Sequence, residues 1–574
     1  LQSVCIRLEQ QPDTDVKTSI MFVGRRGEWI TIFKNNSAPK HNTAVKRLLS
    51  KQPSCFGLQT ATTTKANNQT ALNNESKESH PEWQEARPFN EIHRVNPYTL
   101  FFKFLPGGRY YNLDATQMFK AMFAEHADIY IMPGMLGRPD IVMTQNPDDF
   151  EQIFRNEGAW PNRPSSLCLD YHRSELRADF YQDVEGLIST HGEKWASFRS
   201  AVNPILMQPK NINIYFDKMA QVNQEFVERI RTIRDPQTLE MPDDFDKWLQ
   251  RFTLESVSIV ALDRQLGLLC ENSAVSPEVW TLFQSMSDFF IIPFDLDFKP
   301  SPWRYIATPK FKQLMCSLDN IQNITLKYIN AAMERLAEEQ RKGIVRPEQE
   351  QSVLEKLLRI DKKIATVMAM DMLMAGVDTS TTVFIGILLA LAENPEKQQL
   401  LREEVMRVLP QRDGKFAADA LSRIPYLRAC IKEALRIYPL GTGNIRVTPK
   451  DLVLSGYQVP KNTWVSVVAA SLLMDDRYYP RSKEYLPERW LRSAENGAGA
   501  VPLKPINPFI YMPFGFGPRM CVGRRISDLE LELGIARFVR NFHIEFNYPT
   551  GDVFRTAMIN LPNKPLKFKF TDIE

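Results

Sequence analysis

Cys521 lies in the run Phe514-Gly515-Phe516-Gly517-Pro518-Arg519-Met520-Cys521-Val522-Gly523, a pattern FxxGxRxCxG with five positions of fixed type. At an average usage of about one in twenty per residue type, such a coincidence arises roughly once per million windows. Every fixed position has a physical use if the Cys521 sulfur is the axial thiolate of a haem iron. Gly517 and Gly523 let the backbone fold tightly around the sulfur, and Phe514 can cover it with an apolar ring. A helix starting just after Cys521 would turn its positive end and free N–H groups toward the sulfur and favour the thiolate. Arg519 can then reach a haem propionate as a charge-assisted partner. A lone cysteine beside a Gly-rich turn is ordinarily a buried structural residue. Its four companions argue against that reading here.

A second chemical signature interrupts the longest apolar stretch that can form one helix, residues 364–393, which ends before Pro395. Its centre reads Ala375-Gly376-Val377-Asp378-Thr379-Ser380. Glycine costs about 1 kcal/mol relative to alanine inside a helix, and Asp378 brings a charge into apolar surroundings. Thr379 can bond back to the carbonyl of Ala375, which loosens the helical ladder and leaves room beside Gly376. A groove holding an acid and a hydroxyl can deliver protons to oxygen bound over a haem. A helix kink with a satisfied threonine is the bland alternative.

Around these residues the chain is mainly helical in pattern from about residue 150. Earlier, Ile129-Tyr130-Ile131-Met132 and Asp140-Ile141-Val142-Met143 read as strands of a small sheet. Trp195 and Arg199 are four apart, and Glu433 and Arg436 three apart, so each pair shares a helix face. Arg428 and Lys432 are also four apart, about 90° around from the Glu433 face, and should point to solvent.

The seven cysteines are scattered without a CxxC pair, which argues against a zinc site and a disulfide framework. A net charge of +3 over 574 residues implies no bulk attraction to nucleic acid. The basic excess sits near the start: residues 1–70 hold ten Lys/Arg and four Asp/Glu, and residues 29–74 hold no acid at all. An acid-poor, basic leader rich in Ser, Thr and Asn reads as a mitochondrial transit peptide, or else as a generic disordered tail. We therefore expect a leader over 1–80, with translation starting at Met21 or in a longer chain, and one large domain over 81–574. No run in this leader approaches the 18 or more consecutive apolar residues of a spanning anchor.

From Pro88 onward the chain resembles the cytochrome P450 superfamily, whose haem-thiolate loop has the Cys521 pattern. RMCVGRR, from Arg519 to Arg525, resembles its mitochondrial branch, and the overall run of residues is most similar to the insect mitochondrial family twelve. The resemblance implies a mainly α fold with smaller β-sheet regions, and haem b held between the long central helix and the Cys loop. It implies that Cys521 ligates the iron and that Ala375, Gly376, Asp378 and Thr379 form the oxygen-activating [AG]Gx[DE]T[ST] motif. By the same resemblance Trp195, Arg199, Arg446 and Arg519 contact propionates. Arg489, in Pro487-Glu488-Arg489-Trp490, joins Glu433 and Arg436 in a structural ionic triad. Arg428 and Lys432, with Arg524 and Arg525, match the basic surface that docks an acidic adrenodoxin-type ferredoxin, itself served by a ferredoxin reductase. A merely solvated basic face is the alternative reading of those four.

The expected function is a mitochondrial monooxygenase on the matrix side of the inner membrane, peripherally attached. Its expected substrate is lipophilic, a foreign compound or alternatively an ecdysteroid. Residues around 165–181, 289–292, 440–444 and 557–561 would line the pocket by resemblance. Two rival readings are a haem-thiolate isomerase, which needs neither relay nor electron donor, and a non-catalytic haem carrier, which gives no reason for the 375–380 interruption.

Overall fold

The computed structural model describes residues 81–271, 275–344, 346–491 and 507–574, with the backbone of three short strands near the start. Two compact units result, Leu1–Lys77 and Glu78–Glu574. In the first, the strands Cys5–Arg7, Ser19–Val23 and Trp29–Phe33 form an antiparallel sheet. The rest of the expected leader lies outside the described residues.

The second unit is built on one helix, Lys362–Glu393. Asp361 caps its start by accepting from the Ile364 N–H at 2.9 Å. It stops at Asn394, and Pro395 opens the next helix, Pro395–Val408. A helix apolar on all sides must be buried on all sides. This one is covered by Phe245–Ala261, Pro309–Arg341, Pro425–Ile437 and Arg524–Asn541. Among the described residues it is the one helix long and apolar enough to cross a membrane, and it lies inside the protein. Phe384 meets Phe252 at 5.3 Å and Phe538 at 6.0 Å, and Phe226 stacks on Phe252 at 4.7 Å. These rings tie four helices into one core.

The Ile129–Met132 strand forms as the alternation predicts, while its partner runs Ile141–Thr144, one residue later than expected. Asp140 lies outside because its carboxylate accepts from the Gly134 N–H at 2.9 Å and closes the preceding turn. The pair continues into a four-stranded sheet. Ile141–Thr144 runs parallel to Trp464–Val468, which is antiparallel to Gly443–Val447. That last strand carries Arg446 toward the helices.

Candidate active site

The Cys521 loop is closed by its own backbone. The Cys521 N–H donates to the Phe514 carbonyl at 2.9 Å and the Met520 N–H to that of Gly517 at 3.0 Å. Gly515 (φ +75°) and Gly517 (φ +68°) occupy the left-handed region that favours glycine. Gly523 does not: its φ is −81°, and a Cβ there would stand 3.8 Å from the sulfur, an ordinary contact. The tight fold expected of Gly523 therefore belongs to Gly515. Gly523 instead caps the helix Arg524–Asn541. Burial pushes the Cys521 thiol up, and the Gly523 N–H, Arg199 and Arg163 offset part of that rise. The Cys521 side chain is accessible.

Trp195 and Arg199 both sit on the helix Gly192–Leu206. The Arg519 guanidinium lies 4.0 Å over the Trp195 ring. It donates to the carbonyls of Pro161, Thr190 and Leu187 at 2.9, 2.7 and 3.3 Å. Arg199 donates to the Met520 carbonyl at 2.9 Å and keeps a buried Nε with no partner. Arg446 pairs with Glu157 at 2.6 Å, both 3% exposed. Sequence reasoning missed Arg163, which no spacing distinguishes within Trp160-Pro161-Asn162-Arg163-Pro164. It donates no hydrogen bond among the described residues. Burial, Arg163, Arg446 and Arg199 hold Arg519 well below the ordinary arginine range, and Glu157 pulls the other way. Four guanidiniums thus cluster here, Glu157 being paired with Arg446, and Arg163 and Arg199 keep donors to spare. The two propionates of haem b fit that cradle, and the Cys521 thiol fits the iron.

The central helix opens at one place. Ala375 is exposed and Gly376 and Thr379 half-buried, within a stretch whose other residues are nearly all buried. Thr379 Oγ1 donates to the Ala375 carbonyl at 2.5 Å. Two expectations need correction. The gap is not beside Gly376, where a Cβ would come within 2.8 Å of Val257 Cγ2. It is the Ala375/Thr379 face, one helical turn long. Nor do Asp378 and Thr379 share a groove, because adjacent helical residues diverge by about 100°. Asp378 is 3% exposed and turned toward Phe245–Ala261, where its Oδ1 accepts from Gln250 Nε2 at 2.6 Å and Oδ2 has no partner. Burial pushes its pKa up to about 6.

Two outcomes are expected here. Thr379→Ala should keep haem and ligand binding but divert electrons from product to peroxide; equal product per electron in variant and parent would remove Thr379 from proton delivery. A raised Asp378 pKa means the folded state holds its proton longer than the unfolded chain. Its stabilising contribution is complete below about pH 4 and lost as pH rises to about 6, by about 3 kcal/mol. Asp378→Asn should flatten that decline in thermal melts compared across this window.

Glu433, Arg436 and Arg489 meet with no exposure. Glu433 Oε1 accepts from Arg436 at 2.8 Å and from Arg489 at 2.9 Å, while Oε2 accepts from Arg436 Nε at 3.1 Å and Trp490 Nε1 at 2.8 Å. On the outer face of the same helix, Pro425–Ile437, Arg428 and Lys432 are exposed, with Arg428 also 2.8 Å from Glu532. Arg428 is therefore partly neutralised rather than free. Arg524, 3.6 Å from Asp528, and Arg525 are exposed at the start of the next helix.

A cysteine loop beneath a helix window, with guanidiniums for two carboxylates at its edge, defines a haem-thiolate protein. The sequence pattern of the family described as Cytochrome P450 matches residues 98–570, and the chain belongs to that family. It is 55% identical over 498 residues to cytochrome P450 CYP12A2 of Musca domestica, covering 86% of this chain and 93% of the relative. It is 56% identical over 497 residues to the probable cytochrome P450 12a5, mitochondrial, of Drosophila melanogaster, covering 86% and 92%. Both relatives carry names of the insect twelve branch. A crystal structure of a cytochrome P450, CYP102L1, superposes with a TM-score of 0.64 at 20% identity, over 80% of this chain and 98% of that one, and shows the same fold. The protein is a monooxygenase carrying haem b with Cys521 as axial ligand. Bound there, the haem supplies reductive cleavage of dioxygen, with one atom passing to the substrate and one to water.

Proposed function

We propose that this monooxygenase works on the matrix side of the inner mitochondrial membrane, takes electrons from an adrenodoxin-type ferredoxin and hydroxylates lipophilic foreign compounds. The observation that carries the reading is the Ala375/Thr379 window, accessible inside an otherwise apolar, buried helix and aligned with no buried charge of its own face but Asp371. Apolar surroundings select lipophilic substrates by burial and leave the hydroxyl of Thr379 to handle protons. Arg163, Arg199, Arg446 and Arg519 hold the propionate edge, and Glu433, Arg436 and Arg489 brace the approach to the Cys521 loop.

The mitochondrial names of several relatives support the location, as does the basic leader. Residues 21–75 fused to a reporter test it: delivery to mitochondria is the expected result. Peripheral attachment draws support from aromatic residues on helix Pro97–Phe104, where Tyr98 is 77% and Phe102 66% exposed.

Docking of the ferredoxin is assigned to Arg428, Lys432, Arg524 and Arg525. Arg428→Glu with Lys432→Glu should slow first-electron transfer about tenfold or more at low salt, leaving the carbon monoxide spectrum unchanged. Stopped-flow reduction by ferredoxin measures it; equal rates in parent and variant would leave these as solvated charges. Difference spectra of the purified holoenzyme against foreign compounds and ecdysteroids test the substrate class. Binding of ecdysteroids alone would replace the foreign-compound reading.

A further inference from the structure

One buried ion pair lies next to the window and has no part in the chemistry above. Arg173 NH2 donates to Asp371 Oδ1 at 2.7 Å, with the two side chains 1% and 3% exposed. Asp371 stands one helical turn before Ala375 and two before Thr379, on the same stripe of the central helix. Arg173 belongs to a π-helical turn, His172–Leu176, inside the segment 165–190. The Leu187 N–H, from the same segment, donates to Asp371 Oδ2 at 2.6 Å. Arg173 also donates to the Glu185 carbonyl at 2.6 Å.

Gly186 shows how closely the chain is drawn down. Its φ is +86°, and a Cβ there would come within 2.5 Å of Asp371 Oδ2 and 2.7 Å of Arg173 NH1. Only glycine lets the backbone close on the pair. At its other margin the segment is held by Asp319, which accepts from His172 at 2.9 Å and from Arg177. The carbonyls of Leu187 and Thr190 receive Arg519 of the Cys521 loop. The segment is thus fastened to the central helix by a dry ion pair beside the reacting face, with the Tyr181 hydroxyl donating to Met370 Sδ at 3.7 Å as a weaker neighbouring tie.

We propose that Arg173 and Asp371 form a positioning latch that sets how far segment 165–190 closes over the Ala375/Thr379 face, and so which sizes of lipophilic ligand the site admits. The idea rests on the lipophilic-substrate reading but can be tested without it. A salt bridge between dry groups has a short, directional optimum, so it fixes one closed geometry where apolar packing would tolerate several.

The test uses the holoenzyme and n-alkyl imidazoles from butyl to dodecyl, which ligate haem iron and need neither ferredoxin nor turnover. Three variants are compared: Asp371→Asn, the paired Arg173→Met with Asp371→Leu, which leaves no stranded charge, and Gly186→Ala, which keeps both charges but wedges them apart. Each should retain the thiolate-type carbon monoxide spectrum, rebind carbon monoxide faster after photolysis, and favour dodecyl over butyl imidazole by about tenfold more than the parent does. Unchanged chain-length preference and rebinding in haem-replete variants would overturn the proposal. So would loss of haem in all three, which would make the pair a structural brace. Failure of the foreign-compound screen, with the chain-length shift present, would count against the substrate reading alone.

Discussion

Cys521→Ser is expected to give a folded protein with no turnover at all. The loop is closed by the Cys521 N–H to the Phe514 carbonyl, a bond the substitution retains, and Arg199 and Arg446 of the guanidinium cradle lie on other elements. What is lost is the sulfur anion. A serine hydroxyl is a far weaker acid than a thiol and keeps its proton. Burial holds the Cys521 thiol above its ordinary range, with the Gly523 N–H, Arg199 and Arg163 pulling the other way, so ionisation is left to the bond with iron. The serine cannot push electron density toward iron as a thiolate does, and that push is what favours O–O cleavage. The reduced carbon monoxide complex reports the ligand directly. A Soret band still at the thiolate position in Cys521→Ser would refute the assignment.

Glu433→Ala should be nearly as damaging, for a reason unconnected with the reaction. The Glu433 carboxylate accepts from Arg436, Arg489 and Trp490 side chains and from the Leu486 N–H at 3.1 Å, and neither arginine is exposed. Removing it strands two buried guanidiniums, at a cost of about 3–5 kcal/mol. Domain stabilities of about 5–15 kcal/mol leave little margin for that loss. Low haem content and a melting temperature well below the parent's are the expected results, measured on freshly purified protein. A parental melting temperature with full haem would show that the triad braces nothing.

The parts of the site that could be read from the chain are those whose residues are close in sequence. The Cys521 loop, the 375–380 interruption and the Glu433/Arg436 spacing are local, and local geometry places them. The misreadings came where orientation or a distant partner decides. Asp378 and Thr379 are neighbours, yet one faces Gln250 across a helix interface and the other faces the opening. Gly523 sits in a glycine slot of the motif pattern, but the positive φ falls on Gly515. Arg163 has no spacing to mark it, and Glu157, which takes up Arg446, lies 289 residues from it. The pairing of Arg173 with Asp371 spans 198 residues and leaves no periodic trace. The fold was easier to read, because a stretch apolar on every face has only the interior to occupy.

The four-stranded sheet also constrains when the protein can become complete. Val142 is registered against Val465, so an early hairpin waits for a strand made more than 300 residues later. Loop-closure entropy must be met before that parallel pairing returns anything, which makes it a late step. During synthesis, or passage through a pore N-terminus first, the Ile141–Thr144 edge stays open and can pair with another chain. Arg446 and the Cys521 loop arrive in the same final portion, so the edge is covered and the cofactor cradle finished together. A nascent chain halted before Trp464 has neither, and is the form most in need of a chaperone.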